Sequence, residues 1–173
     1  MGHYSARVRW ANEAELLAAL STWEPLPDED DPRWDDDEVW RDAERLIQAA
    51  DAAGDAGWRE AAVRVFEHAA DWDLNGMMPH IRHGPERAYP EDSGSQEFAH
   101  RLEQLAGHVR AGTRLWIVRE LGLLRQLSSL PVILERLTDP HPRVADTAVD
   151  SLHMLAQVYA EAVTELWSRE LGA

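Results

Sequence analysis

Residues 130–156, LPVILERLTDPHPRVADTAVDSLHMLA, read as two helices joined by a tight turn. Leu130, Ile133, Leu134 and Leu137 fall on one face of a 3.6-residue period. Pro131 suits the first turn of a helix, where its missing N–H costs nothing. The first helix must stop at Asp139-Pro140-His141-Pro142, because two prolines cannot continue it. Asp139 can cap the next helix and Pro142 can open it. The second apolar face runs Val144, Ala148, Leu152, Leu155 and Tyr159, and small Ala145, Ala148 and Ala156 allow close helix approach.

The Asp-Pro turn, the Val two residues after Pro142 and the Ala148, Leu152, Leu155 series together resemble a HEAT repeat. One position departs from that pattern: Ala145 stands where such units often carry Arg. The resemblance covers this segment alone. It implies an all-α fold of HEAT-like hairpins stacked as a short α-solenoid, and binding of other macromolecules as its activity. An ordinary helical hairpin in a closed bundle is the competing reading.

Outward from this unit, amphipathic spacing predicts helices over 13–22, 37–53, 58–72, 95–110 and 113–127, or seven to eight in all. Asn12 is the expected cap of the first. The inward residues are expected to be Val39, Trp40, Ala43, Leu46, Ile47 and Ala50 in the second helix. Phe98, Leu102, Leu105 and Val109 face inward in the fourth, and Trp116, Ile117, Leu121 and Leu124 in the fifth. The last helix either continues as one rod or breaks near 156–160, with Val163, Leu166 and Trp167 keeping the period. Three helical pairs, 37–72, 95–128 and 129–157, make a single helical-repeat domain over 1–173. An acidic loop at 24–36 and an irregular loop at 73–95 interrupt it.

The chain of 173 residues carries 32 acidic and 17 basic residues, for a net charge of -15. Residues 1–60 hold 16 of the acids and only 6 Arg. Such a charge repels phosphate backbones and anionic lipid, so direct binding to nucleic acid or membrane is not expected. A basic protein would be attracted. The acidity is equally compatible with a role in solubility alone. No apolar run is long enough to span a membrane and no apolar leader core opens the chain, so a cytoplasmic location is the default. Cysteine is absent, which excludes disulfides and thiolate ligands. All basic residues are Arg, and Asp37–Arg41, Glu60–Arg64 and Glu97–Arg101 are spaced as intrahelical ion pairs.

Residues 28–38, DEDDPRWDDDE, contain eight acids. This stretch has too little apolar content to bury and is expected to be solvated or flexible, running into the second helix. Trp34 lies within it without apolar neighbours. A tryptophan ringed by carboxylates is the composition of an interface anchor, and the alternative is that Trp34 folds back over the first helix pair. The candidate partner-binding residues are therefore Asp30, Asp31, Trp34, Asp35 and Asp36.

Other chemistry is thin. Asp71, Asp73, Asn75 and Gly76 match the first half of a calcium loop, but position twelve is Arg82 where a bidentate Glu belongs. His80, His83 and Glu86 have a ligand-like spacing, but Pro79, Gly84 and Pro85 oppose a regular helix there. No nucleophile elbow or phosphate loop is present, so no catalytic residue, metal or cofactor is expected. The leading expectation is a non-enzymatic protein-binding module, in its sharper form an acidic immunity or antitoxin-type protein that neutralises a basic partner. Its alternatives are a regulatory adaptor subunit binding through a concave helical face, and a metal- or small-ligand-binding protein built around 71–108. The oligomeric state stays open.

Overall fold

The computed structural model describes residues 8–71 and 93–171, apart from the side chains of 93–95, 167 and 170–171. The described residues are helical, with no strand among them. Among the described residues the α-helices are α1 (Glu13–Leu20), α2 (Asp37–Ala56), α3 (Arg59–His68), α4 (Ser93–Leu105), α5 (Ala111–Leu124), α6 (Leu130–Arg136) and α7 (Pro142–Leu171). Short 3-10 turns cover Pro32–Asp35 and Leu127–Ser129. The chain divides into two compact units, Met1–Gly84 and Pro85–Ala173.

In the first unit α3 packs against both α1 and α2. Asn12 caps α1 as expected, its side chain accepting from the Glu15 amide. The helix ends at Leu20, two residues before the expected end, because the hydroxyls of Ser21 and Thr22 bond back to the carbonyls of Ala18 and Ala19. Helix α2 runs three residues past its expected end and stops at Gly57, whose φ of 72° is the left-handed conformation that glycine adopts without a Cβ penalty. Helix α3 is preceded by Trp58, which offers no capping side chain. Glu13 of α1 supplies the missing acceptor, taking hydrogen bonds from the amides of Glu60 and Ala61 at 3.0 and 3.2 Å. A carboxylate at a helix N-terminus is favoured by the helix dipole, so this contact both caps α3 and docks α1. Leu16, Leu20, Leu46, Val65 and Phe66 form the fully buried centre. Helix α3 ends at His68, short of the expected 72, and Ala69 turns to extended backbone.

The second unit is built around α5, which is buried from Gly112 to Val118 and again at Glu120, Leu121, Gly122 and Leu124. It packs most extensively on α7 and also touches α4 and α6, while α6 packs on α7. The α5–α7 approach is close. A Cβ on Gly122 would lie 2.7 Å from the Ser151 Cβ, and the Ser151 hydroxyl donates to the Val118 carbonyl at 2.9 Å. Val144, Ala148, Leu152 and Leu155 are buried, as the period of α7 predicts, and Tyr159 is half-buried. At Tyr159 the backbone leaves helical geometry (φ -124°, ψ 44°), so α7 is kinked inside the 156–160 window.

The turn between α6 and α7 carries a buried ion pair. Asp139, its side chain fully buried, accepts two hydrogen bonds at 2.8 Å from the Arg114 guanidinium and one at 3.0 Å from the His141 amide. Arg114 also donates to the carbonyls of His108 and Val109 at 2.9 and 3.0 Å. One arginine thus ties the α4–α5 turn to the α6–α7 turn. Burial pushes the Asp139 carboxyl up, but the Arg114 and His141 hydrogen bonds and the charges of Arg114 and Arg136 outweigh it and hold the group below its ordinary value of 3.8.

Two expected core residues lie elsewhere. Val109 is 87% exposed, because α4 ends at Leu105 and the chain turns through Gly107. Trp40 is 38% exposed, and the 3-10 turn that precedes α2 packs against that helix. Trp116 is buried as expected, and the Trp167 side chain lies outside the described residues.

Candidate functional site

The acidic stretch is held to the first unit at several points. Leu26 and Pro27 are buried ahead of it, and the Leu26 amide donates to the His68 carbonyl at 2.9 Å. The Glu29 amide donates to the buried Asp71 carboxylate at 2.7 Å. Asp71 is thereby given a structural task. The rest of its calcium-like motif, from Trp72 to Arg82, lies outside the described residues, as do His80, His83 and Glu86.

From these anchors the chain enters the turn Pro32–Asp35. Asp31 caps it by accepting from the Arg33 amide at 2.9 Å, and also holds the Arg33 side chain through Nη2 at 2.9 Å. The Arg33 side-chain and backbone hydrogen bonds hold the Asp31 carboxyl below its ordinary value. Asp36 caps α2, accepting from the Glu38 amide at 2.8 Å. Of the five candidate residues, Asp31 and Asp36 therefore act as local caps, and Asp30 and Asp35 are exposed.

Trp34 is half-buried. Its indole N–H donates to the Asp28 carbonyl at 2.9 Å, and its ring lies 5.0 Å from that of Trp40 at an interplanar angle of 58°. The Trp40 N–H donates to the Trp34 carbonyl at 2.8 Å. Trp34 thus packs on the start of α2 through Trp40, and is half-buried beside the more exposed Trp40. The result is an aromatic pair in a stretch of chain whose neighbours Asp30, Asp35, Asp37 and Glu38 are all exposed. Trp40 belongs to this surface, and buried Leu26 and Asp71 anchor it, although periodicity points to none of them for it. The available signals were a six-residue Trp–Trp spacing and an isolated Leu-Pro pair before the acids.

A concavity in this unit, about 490 Å³, is lined by Leu17, Leu20, Ser21, Glu60, Arg64 and His68. Its polar groups are engaged within the fold. Arg64 pairs with Glu67 at 2.6 Å, where spacing had suggested Glu60, and the His68 ring nitrogens contact the carbonyls of Arg64 and Trp23. His100 lies beside Glu103 and Gln104, and His108 accepts from the Arg110 amide. Among the described residues no three His, Cys, Asp or Glu groups are placed to hold a metal ion, and no helix is long and apolar enough to cross a membrane.

No family model, no curated protein and no solved structure matches the chain.

Proposed function

We propose that this chain is a non-enzymatic protein-binding module whose acidic, tryptophan-bearing surface, Asp30 to Trp40, engages a basic protein. The observation that carries the reading is the anchoring of that surface. Buried Leu26 and Asp71 and the paired indoles hold the exposed acids in one arrangement, so little ordering entropy opposes binding. Aromatic residues with a charged rim are the composition of interface hot spots, and a net charge of -15 steers a cationic partner towards them. A partner of this kind fits an immunity or antitoxin role, in which the acidic face occupies the cationic cleft of a toxin.

The second unit, which contains the HEAT-like segment, fits a scaffold of paired helices. In the second unit two hairpins, α4–α5 and α6–α7, stack chiefly through their second helices. Affinity capture from the native cells, with mass spectrometry and repetition at high salt, tests the proposal. The expected result is a basic protein released by salt and no longer captured by Trp34→Ala. A partner that resists salt and is retained by that variant would move the binding site to a helical face.

A further inference from the structure

His68, the last residue of α3, holds two parts of the first unit together. Its ring Nδ1 lies 2.8 Å from the Arg64 carbonyl oxygen one turn back, and its Nε2 lies 3.2 Å from the Trp23 carbonyl oxygen, in the segment that follows α1. Both partners are carbonyl oxygens, which only accept. Each ring nitrogen must therefore donate to complete its bond. A neutral imidazole carries one N–H and an imidazolium carries two. Only the protonated ring makes both bonds. The position favours that form, because a cation at a helix C-terminus meets the negative end of the helix dipole and the last carbonyls of the helix.

The bond to Trp23 bears on more than one residue. Three residues on, the Leu26 amide donates to the His68 carbonyl at 2.9 Å, and the Glu29 amide donates to Asp71 at 2.7 Å. Residues 23–29 thus meet residues 68–71 through these hydrogen bonds, two of them with His68. The charged groups around the ring come from α3 and from this segment. Arg64 and Glu60 line the same cavity, one and two turns back, whereas Leu17, Leu20 and Ser21 on the α1 side bring no charge. Arg64 opposes a second cation, but Glu67 pairs with it at 2.6 Å and offsets its charge. Exposed Glu24 directly follows Trp23 and favours a cation nearby. Carboxylates and guanidinium groups keep their charge between about pH 6 and 8, and an imidazole changes its own in that range.

We infer that His68 is a proton-operated clasp between α3 and residues 23–29. Protonated, the ring bonds both carbonyls and the segment is fastened. Neutral, it keeps its proton on Nδ1 for the shorter bond to Arg64, and the Nε2 lone pair faces the Trp23 carbonyl. The Trp23 bond is therefore present at pH below the titration of the ring and lost as pH rises through it. Acidic residues 28–38 continue directly from the clasped segment, so mild acidity fixes their anchor more firmly. The clasp concerns the anchor itself and does not rest on the stretch being a binding surface.

The test follows the full-length ¹⁵N-labelled chain at about pH 6 and about pH 8, either side of an ordinary imidazole titration. Long-range ¹H–¹⁵N spectra of the His68 ring distinguish the imidazolium from each neutral tautomer. Hydrogen exchange, taken relative to the unstructured chain at the same pH, gives the protection of single amides. The expected ring is the imidazolium in the acidic sample and the Nδ1–H tautomer in the basic one. Leu26 should be about three- to tenfold better protected in the acidic sample, the worth of one net hydrogen bond. Val65, in the middle of α3, should change little. His68→Gln, which donates without titrating, should show equal Leu26 protection in both samples. A ring that is neutral in the acidic sample, or carries its proton on Nε2 in the basic one, would overturn the inference. So would equal Leu26 protection in the wild type, a rise shared in full by Val65, or a rise retained in His68→Gln. The ring spectra and the wild-type exchange decide the matter even if that variant fails to fold.

Discussion

Replacing Arg114 by alanine should be among the most damaging single changes in the second unit. The guanidinium makes two 2.8 Å contacts to the Asp139 carboxylate and two more to the carbonyls of His108 and Val109. Without it, the fully buried Asp139 side chain keeps only the His141 amide at 3.0 Å and Arg136 at 3.7 Å. Removing one member of a buried pair costs about 3–5 kcal/mol, mostly from the uncompensated charge left behind. The residual Arg136 contact places this case near 3 kcal/mol. With a urea dependence of roughly 1.5 kcal/mol per molar, the unfolding midpoint should drop by about 2 M. Arg114→Lys should recover only part, since an ammonium cannot fork the carboxylate and reach both carbonyls.

The pair also predicts a pH signature. In the wild type the Asp139 carboxyl titrates below its ordinary value of 3.8. Its contribution to stability is therefore complete above that value and is lost as pH falls through the lowered one. In Arg114→Ala burial remains and the main counter-charge is gone, so the same carboxyl should titrate above its ordinary value. Protonation then relieves the strain, and the stability difference between variant and wild type should narrow on acidification. Urea melts at pH 7 and near pH 4 measure both effects. A midpoint within about 0.3 M of wild type at pH 7, or a difference that widens in acid, would refute the reasoning.

Other substitutions probe separate joints. Gly122→Ala would place a methyl 2.7 Å from the Ser151 Cβ and 2.8 Å from its Cα, so α5 and α7 must separate. A loss of about 1–3 kcal/mol is expected in chemical denaturation. Arg125 holds a left-handed φ of 51° at the end of α5, and Arg125→Gly should raise the thermal midpoint by relieving about 1 kcal/mol of strain. Asp71→Ala removes the acceptor for the Glu29 amide. Hydrogen exchange at Glu29 should quicken and partner affinity fall, with helix content by circular dichroism unchanged. Asn12→Ala should cost about 1 kcal/mol through loss of the α1 cap, read from urea melts.

Proline and glycine account for much of what could be read in advance. Pro140 and Pro142 stop α6 and open α7 with no need of tertiary information, and the alanine- and leucine-lined period of α7 predicts its buried face. Asn12 was legible because capping is a contact between residues three apart. The Arg114–Asp139 pair was not, because its members lie 25 residues apart and neither belongs to a periodic pattern. The ends of α1 and α4 were misplaced for a local reason. Side-chain hydroxyls at Ser21 and Thr22, and a glycine at 107, compete with helix propagation more strongly than the apolar period suggests. The acidic stretch was expected to be solvated or flexible because its own residues cannot bury. Its anchors, Leu26 and Asp71, come from outside it, and only the fold brings them together. Trp40 sits at a position the α2 period would bury, yet it is 38% exposed, so the helical period alone does not decide which residues near a helix end are covered.

The central claim is that residues 28–40 form the binding surface. Hydrogen–deuterium exchange on the complex with its captured partner measures this most directly. The account predicts that protection on binding concentrates in the peptides spanning Asp28 to Trp40 and the anchoring end of α3, and that it weakens at high salt. Protection confined to α5 and α7, with residues 28–40 exchanging as in the unbound chain, would contradict it.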